Sequence, residues 1–219
     1  MKYLGLPLAL QTAILAVAFS TAAAHADGMG GSAFSGHAVR AKVQYCVDCH
    51  GMSGRGYRGY YPIPRLAGQT SEYFKNQLRA FIERSREKNI DIVMSKVHGL
   101  NPELGPLLAA HFKRLDPNPI GGGPKRLVDI GKKIYEEGIP DANVPACSAC
   151  HGPGATGDGA NPRLAGQLYS YTVKELVNWS KERGQVPGAE DTSAVMAPIA
   201  QSLSRSQIDA VAAYLSYLK

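Results

Sequence analysis

The chain has 219 residues, 44% hydrophobic and 19% charged, with a formal net charge of +6. The length allows one large domain or two small ones, and beyond the apolar N-terminus no segment is apolar enough to span a bilayer. The positive charge bears on association and solubility rather than on fold, and no nucleic-acid partner is expected.

Lys2, an apolar run from Leu4 to Ala18, and Ala24-His25-Ala26 form the charged start, apolar middle and A-x-A cleavage site of a secretory signal. Pro7 and Gln11 interrupt the run, which falls short of the about 20 apolar residues of a retained anchor. Residues 1–26 are therefore expected to be cleaved and the chain exported to the periplasm. Asp27 to Gly36, rich in glycine and small residues, then gives a loose lead-in.

A helix is expected from Arg40 to Tyr45, running into Cys46-Val47-Asp48-Cys49-His50. Aromatic-rich GYRGYY follows at residues 56–61. Phe74, Leu78, Phe81 and Ile82 fall at i, i+4, i+7 and i+8, the spacing of one helical face. A helix starting at Pro106 closes the first half, because Pro suits a first helical position. Proline and glycine between Asp116 and Pro124 forbid a continuing helix.

Leu127 to Glu137 then reads as a helix leading to Cys147-Ser148-Ala149-Cys150-His151. Val173, Leu176 and Val177 repeat the earlier helical face, with Gly184 as its stop. Ser204 and Gln207 form a capping-box pattern ahead of an apolar stripe of Ile208, Val211, Ala212, Leu215 and Leu218. No strand pattern is present.

The two halves repeat one another. PRLAGQ at residues 64–69 recurs letter for letter at residues 162–167, and Tyr73, Leu78 and Phe81 match Tyr171, Leu176 and Trp179 at the same offset of 98. Val93-Met94 matches Val195-Met196. The domains are accordingly residues 27–116 and 125–219, joined by a linker at 117–124. Each half is short enough that a purely protein core is thin, and a buried prosthetic group would fill much of the interior.

The four cysteines occur as two C-x-x-C pairs, each followed at once by histidine. Disulfides are the ordinary expectation for exported cysteines, but C-x-x-C-H is the haem-attachment pattern. Its two thiols lie about one turn apart and reach the two vinyl groups of one porphyrin, with the histidine under the iron. A zinc site is disfavoured because its ligand pairs usually lie about 15–20 residues apart, whereas Cys49 and Cys147 are 98 apart. A thioredoxin-like dithiol would need a βαβ pattern.

For the sixth iron ligand, Met52 is too close to His50 and Met29 lies in the lead-in, leaving Met94 and Met196. They follow their histidines by 44 and 45 residues. A lone methionine is usually core filler; the matched spacing favours ligation, with His98 and His111 as competitors in the first half.

The paired CxxCHG and PRLAGQ sequences, and a methionine ahead of each final helix, make the chain resemble cytochrome c4, a family of two-domain, two-haem periplasmic electron carriers. The resemblance implies an all-α fold of two tandem class I cytochrome c-like domains, each wrapped around one covalent haem c. The site residues would be Cys46 and Cys49 with His50 and Met94, and Cys147 and Cys150 with His151 and Met196. The carbonyls of Pro64 and Pro162 would orient the two histidines, or the prolines would only shape turns. Arg65 and Arg163 would pair with haem propionates or lie solvated on the surface. GYRGYY, and Ser95-Lys96-Val97-His98 in place of Ala197-Pro198-Ile199-Ala200, depart from the pattern around the first haem.

With both axial positions filled, such a protein carries single electrons and leaves no position for a small-molecule substrate. The expected partners are a quinol-oxidising complex or dehydrogenase as donor and a terminal oxidase or another protein as acceptor. Competing readings are a tightly bound subunit of a larger redox enzyme and, more distantly, a two-haem peroxidase or a sulfur-compound dehydrogenase. Residues 27–119 hold thirteen Lys and Arg against eight Asp and Glu, whereas residues 120–219 hold ten of each. The first domain is therefore expected to steer toward an acidic docking face or an anionic membrane surface, with Arg79, Arg84, Arg86 and Lys88 as candidates. The denatured mature chain should retain the mass of two haems; loss of pigment into acidified organic solvent, or a gain of one haem only, would contradict the paired motif.

Overall fold

The computed structural model describes residues 34–83, 85–86, 94–183 and 192–219. The expected signal segment, most of the lead-in, and Arg84, Lys88 and Gly184 lie outside these residues.

Helix α1 (Gly36–His50) is longer than the spacing predicted and runs through the first C-x-x-C-H without a break. Its ends explain the extension. The Ser35 hydroxyl accepts the Ala38 N–H at 3.2 Å, and Gly51, at φ 82°, turns the chain out of the helix. GYRGYY and the two residues after it form a small antiparallel hairpin of β1 (Tyr57–Arg58) and β2 (Pro62–Ile63), where no strand was expected. Two-residue strands are too short to write an alternating pattern.

Helix α2 (Ser71–Ile82), capped by Thr70, presents Phe74 to α3 (Gly105–Lys113), where its ring stacks 5.5 Å from that of Phe112. Pro106 sits in the first turn of α3, as expected.

In the second half α4 (Val128–Glu137) stops at Gly138. A loop closed by an Ile139–Val144 bridge then separates it from α5 (Ser148–His151), so the second motif is not the end of a long helix. Helix α6 (Tyr169–Val177) ends one residue before α7 (Trp179–Glu182). Helix α8 (Met196–Ser202) precedes α9 (Arg205–Tyr217), which carries the predicted Ser204–Gln207 capping box. Helices α4 and α9 share a core of Ile134, Tyr135, Val211, Tyr214 and Leu215. Gly131 lets them approach this closely, since a Cβ there would collide with the Ala210 carbonyl.

The two halves meet through a buried polar cluster that the sequence reading missed. Arg86, expected on a docking surface, is only 9% exposed. Its guanidinium donates to Gln77 Oε1 at 2.7 Å and, across the halves, to Glu175 Oε2 at 3.1 Å and the Tyr171 hydroxyl at 3.1 Å. Arg183 mirrors it, donating to Glu175 at 2.6 Å and to the Tyr73 hydroxyl at 2.9 Å. The mirroring continues in the rings, with Arg86 over Phe81 at 4.5 Å and Arg183 over Trp179 at 4.9 Å. Lys174 of α6 adds a further tie, its ammonium 4.8 Å from the ring centre of Tyr61 in the hairpin.

Burial alone would push the Glu175 carboxyl up, but Arg183, Arg86 and Lys174 together hold it down to about 2, against an ordinary 4.5. The contribution of this depressed group to stability is therefore complete above about pH 4.5 and is lost as pH falls toward 2. Glu175→Gln should cost about 3–5 kcal/mol, because it leaves buried guanidinium charge uncompensated. It should also flatten the acid limb of the stability profile, as measured by chemical denaturation across pH; a change under 1 kcal/mol would mean that the cluster is solvated.

Candidate haem sites

Each C-x-x-C-H places its histidine under a loop from the same half. His50, the last residue of α1, is 6% exposed, and its Nδ1 lies 2.8 Å from the Pro64 carbonyl oxygen. His151, the last residue of α5, is 5% exposed, with Nδ1 2.9 Å from the Pro162 carbonyl. A carbonyl can only accept, so in each ring Nδ1 carries a proton, and in the neutral imidazole the lone pair that a metal needs is then on Nε2. Burial pushes the His151 imidazole down, the Pro162 carbonyl opposing it, which favours the neutral, ligating form.

The turn that supplies these carbonyls is built the same way twice. Gly54 accepts the Leu66 and Ala67 N–H groups on its carbonyl, and Ala155 accepts those of Leu164 and Ala165. Gly56 and Gly157 adopt φ values of 89° and 72° where any Cβ would run into the backbone next to Pro64 and Pro162. Glycine is thus required for the loop to lie over the histidine.

None of the four cysteines is in a disulfide. Cys46 and Cys147 are half-buried, and burial pushes both thiols up to about 11. Cys49 and Cys150 are exposed. Unbonded thiols one turn apart, beside a buried imidazole in each half, fit haem c.

Met94 opens a 3-10 turn (Met94–Gly99) and Met196 opens α8, both half-buried and at matching places in the repeat. His111 lines a groove between α1 and α3 with Val39, Arg40 and Arg114. The side chain of His98 lies outside the described residues.

Arg65 is 4% exposed, which removes the solvated-surface alternative for it. Its Nε donates to the Ala67 carbonyl and one Nη to the Pro117 carbonyl, both at 2.9 Å. The other terminal nitrogen, Nη2, is buried with no hydrogen-bond partner and lies 3.8 Å from Asp116. Burial and the nearby Arg163 lower this guanidinium to about 10, with Asp116 opposing. Arg163 is half-buried and donates to the Ala165 carbonyl.

The PRLAGQ repeats also join the halves. Gln167 accepts the Arg65 N–H at 2.8 Å and donates to the Arg65 carbonyl at 3.2 Å; Gln69 does the same to Arg163, at 2.7 and 3.2 Å. Neither glutamine is among the site residues expected from sequence, although their exact recurrence four positions after the repeated arginine was the available signal.

Residues 128–219 match the family model described as cytochrome c. The chain is 35% identical over 185 residues to cytochrome c4 of Thiocapsa roseopersicina, covering 79% of this chain and 86% of that one. The chain belongs to the cytochrome c4 family. It is also similar to cytochrome c-552 of Acidithiobacillus ferridurans, at 37% identity over 79% of this chain and 73% of the relative. A third relative is the thiosulfate dehydrogenase electron acceptor of Thiomonas intermedia, at 32% identity over 78% and 77% of the two chains.

Among solved structures, that of reduced recombinant cytochrome c4 from Pseudomonas stutzeri superposes with a TM-score of 0.70 at 28% identity, covering 85% of this chain and 100% of that one. The fold is thus the all-α, two-domain class I cytochrome c fold. As a cytochrome c4, the chain carries two covalent haem c groups, at Cys46 and Cys49 and at Cys147 and Cys150, and works as an electron-transfer protein with redox-protein partners.

Proposed function

We propose that the chain is an exported, periplasmic carrier that takes single electrons from a dehydrogenase or quinol-oxidising complex and delivers them to a terminal oxidase or another acceptor protein. The two haem domains are residues 27–116 and 125–219, joined at 117–124, after removal of residues 1–26. The observation that carries this reading is the matched pair of buried histidines held through Nδ1, each with a methionine at the same place in its half.

In this reading His50 with Met94, and His151 with Met196, would hold the two haem irons. Haem c supplies a one-electron iron couple, and the chain's residues set its surroundings. Pro64 and Pro162 fix the ring planes of the histidines through their carbonyls. Methionine ligands from this chain would leave the irons no open position for a substrate, which favours a carrier over a peroxidase. The orphaned Nη2 of Arg65 suits a propionate carboxylate, since a buried cationic N–H costs free energy until it finds an acceptor.

A relative named for accepting electrons from thiosulfate dehydrogenase supports a sulfur-oxidising dehydrogenase as the class of donor. The alternative of a tightly held subunit is separated by co-purification in high salt.

Docking is assigned to the first domain, with Arg79 exposed on α2 and Arg86 withdrawn as a surface cation. In the second domain Lys132 and Lys133 are each paired with a glutamate one turn on.

Met94→Ala and Met196→Ala should each remove about half of the weak far-red thioether-to-iron charge-transfer absorption of the oxidised protein. An unchanged spectrum in either variant means that methionine is not a ligand. Arg79→Glu should slow association with an acidic redox partner and flatten its salt dependence in stopped-flow mixing, whereas Lys132→Glu and Lys133→Glu should change little. Equal effects would remove the case for a docking domain.

A further inference from the structure

The carbonyl that holds each histidine and the N–H that meets each glutamine belong to one peptide group. The Pro64–Arg65 peptide accepts from His50 Nδ1 at 2.8 Å on its oxygen and donates from its nitrogen to Gln167 Oε1 at 2.8 Å. The Pro162–Arg163 peptide accepts from His151 at 2.9 Å and donates to Gln69 Oε1 at 2.7 Å. Each chain of hydrogen bonds therefore begins on a histidine of one half and ends on a glutamine of the other.

The orientation of both glutamines is fixed by their partners. Gln167 Oε1 also accepts the Leu168 N–H at 2.9 Å and Gln69 Oε1 the Thr70 N–H at 2.8 Å, while each Nε2 donates to a backbone carbonyl. A flipped amide would set donor against donor. Both side chains are buried, Gln69 7% and Gln167 8% exposed, so water does not readily replace them.

We propose that Gln167 tunes the haem iron held by His50, and that Gln69 tunes the iron held by His151, each through the polarised peptide between them. An amide that donates through its N–H becomes a better acceptor at its C=O, because linked hydrogen bonds polarise one another. A better acceptor draws the Nδ1 proton away from the imidazole, makes Nε2 more electron-rich and favours the ferric state. Each domain thereby lowers the potential of the haem in the other. The Arg65 end is buried whereas Arg163 is half-buried, so the effect on the first haem is the larger.

The proposal rests on His50 and His151 being iron ligands. That reading fails separately, if the ring protons of either histidine in the oxidised holoprotein lack the large paramagnetic shifts of an iron ligand.

The test is a redox titration of the holoprotein followed by NMR. The two haems are assigned to their halves by contacts between haem methyls and residues of the Cys46–His50 or Cys147–His151 segment. Gln167→Leu should raise the potential of the His50 haem and leave the other in place, and Gln69→Leu should do the reverse with a smaller shift. Gln167→Glu, whose carboxylate is the stronger acceptor, should lower the potential of the His50 haem. The proposal is overturned if neither leucine variant shifts a potential, if Gln167→Glu moves it in the same direction as Gln167→Leu, or if Gln167→Leu expands the molecule in solution scattering and moves both haems together. The last result would make the glutamines a clasp and nothing more.

Discussion

The peptide group between Pro64 and Arg65, with its counterpart between Pro162 and Arg163, is the constraint on which the site and the joining of the halves both depend. Its oxygen fixes a histidine in its own half and its nitrogen meets a glutamine from the other. A displacement of this peptide disturbs both at once, so the placement of the histidines and the contact between the halves are not independent. The glycines at 56 and 157 exist to bring the chain to this position, where a side chain would collide with the backbone it must approach.

Around that centre the interface is built as an internal dimer that is unequal in its acid. Tyr73 and Tyr171, Phe81 and Trp179, and Arg86 and Arg183 occupy mirrored places, but Gln77 faces Glu175. One carboxylate therefore serves two buried guanidinium groups. Removing that carboxylate would leave two buried cations uncompensated, so the contact between the halves depends on it.

The halves also diverge in how each presents its motif. In the first, α1 continues into Cys46-Val47-Asp48-Cys49-His50, whereas in the second Gly138 ends α4 and a loop intervenes before α5. Among the described residues the β1–β2 hairpin has no counterpart in the second half, and its Tyr61 reaches across to Lys174. Two domains of one fold thus place different local structure around their C-x-x-C-H motifs.

The haem motifs, the repeat, the matched methionines and the apolar faces of α2, α6 and α9 could be read directly from the chain, because covalent attachment and helical periodicity are local and their residues lie within a few turns of one another. The capping box of Ser204 and Gln207 was legible for the same reason. Arg86 was misread as a surface cation because its counter-charge, Glu175, lies 89 positions away and no local pattern connects them. The exact recurrence of Gln69 at Gln167 was visible, but a repeat is equally expected when each half merely preserves its own fold. Only tertiary structure shows that each glutamine serves the opposite half, since hydrogen bonding depends on which groups burial brings together and not on their order along the chain.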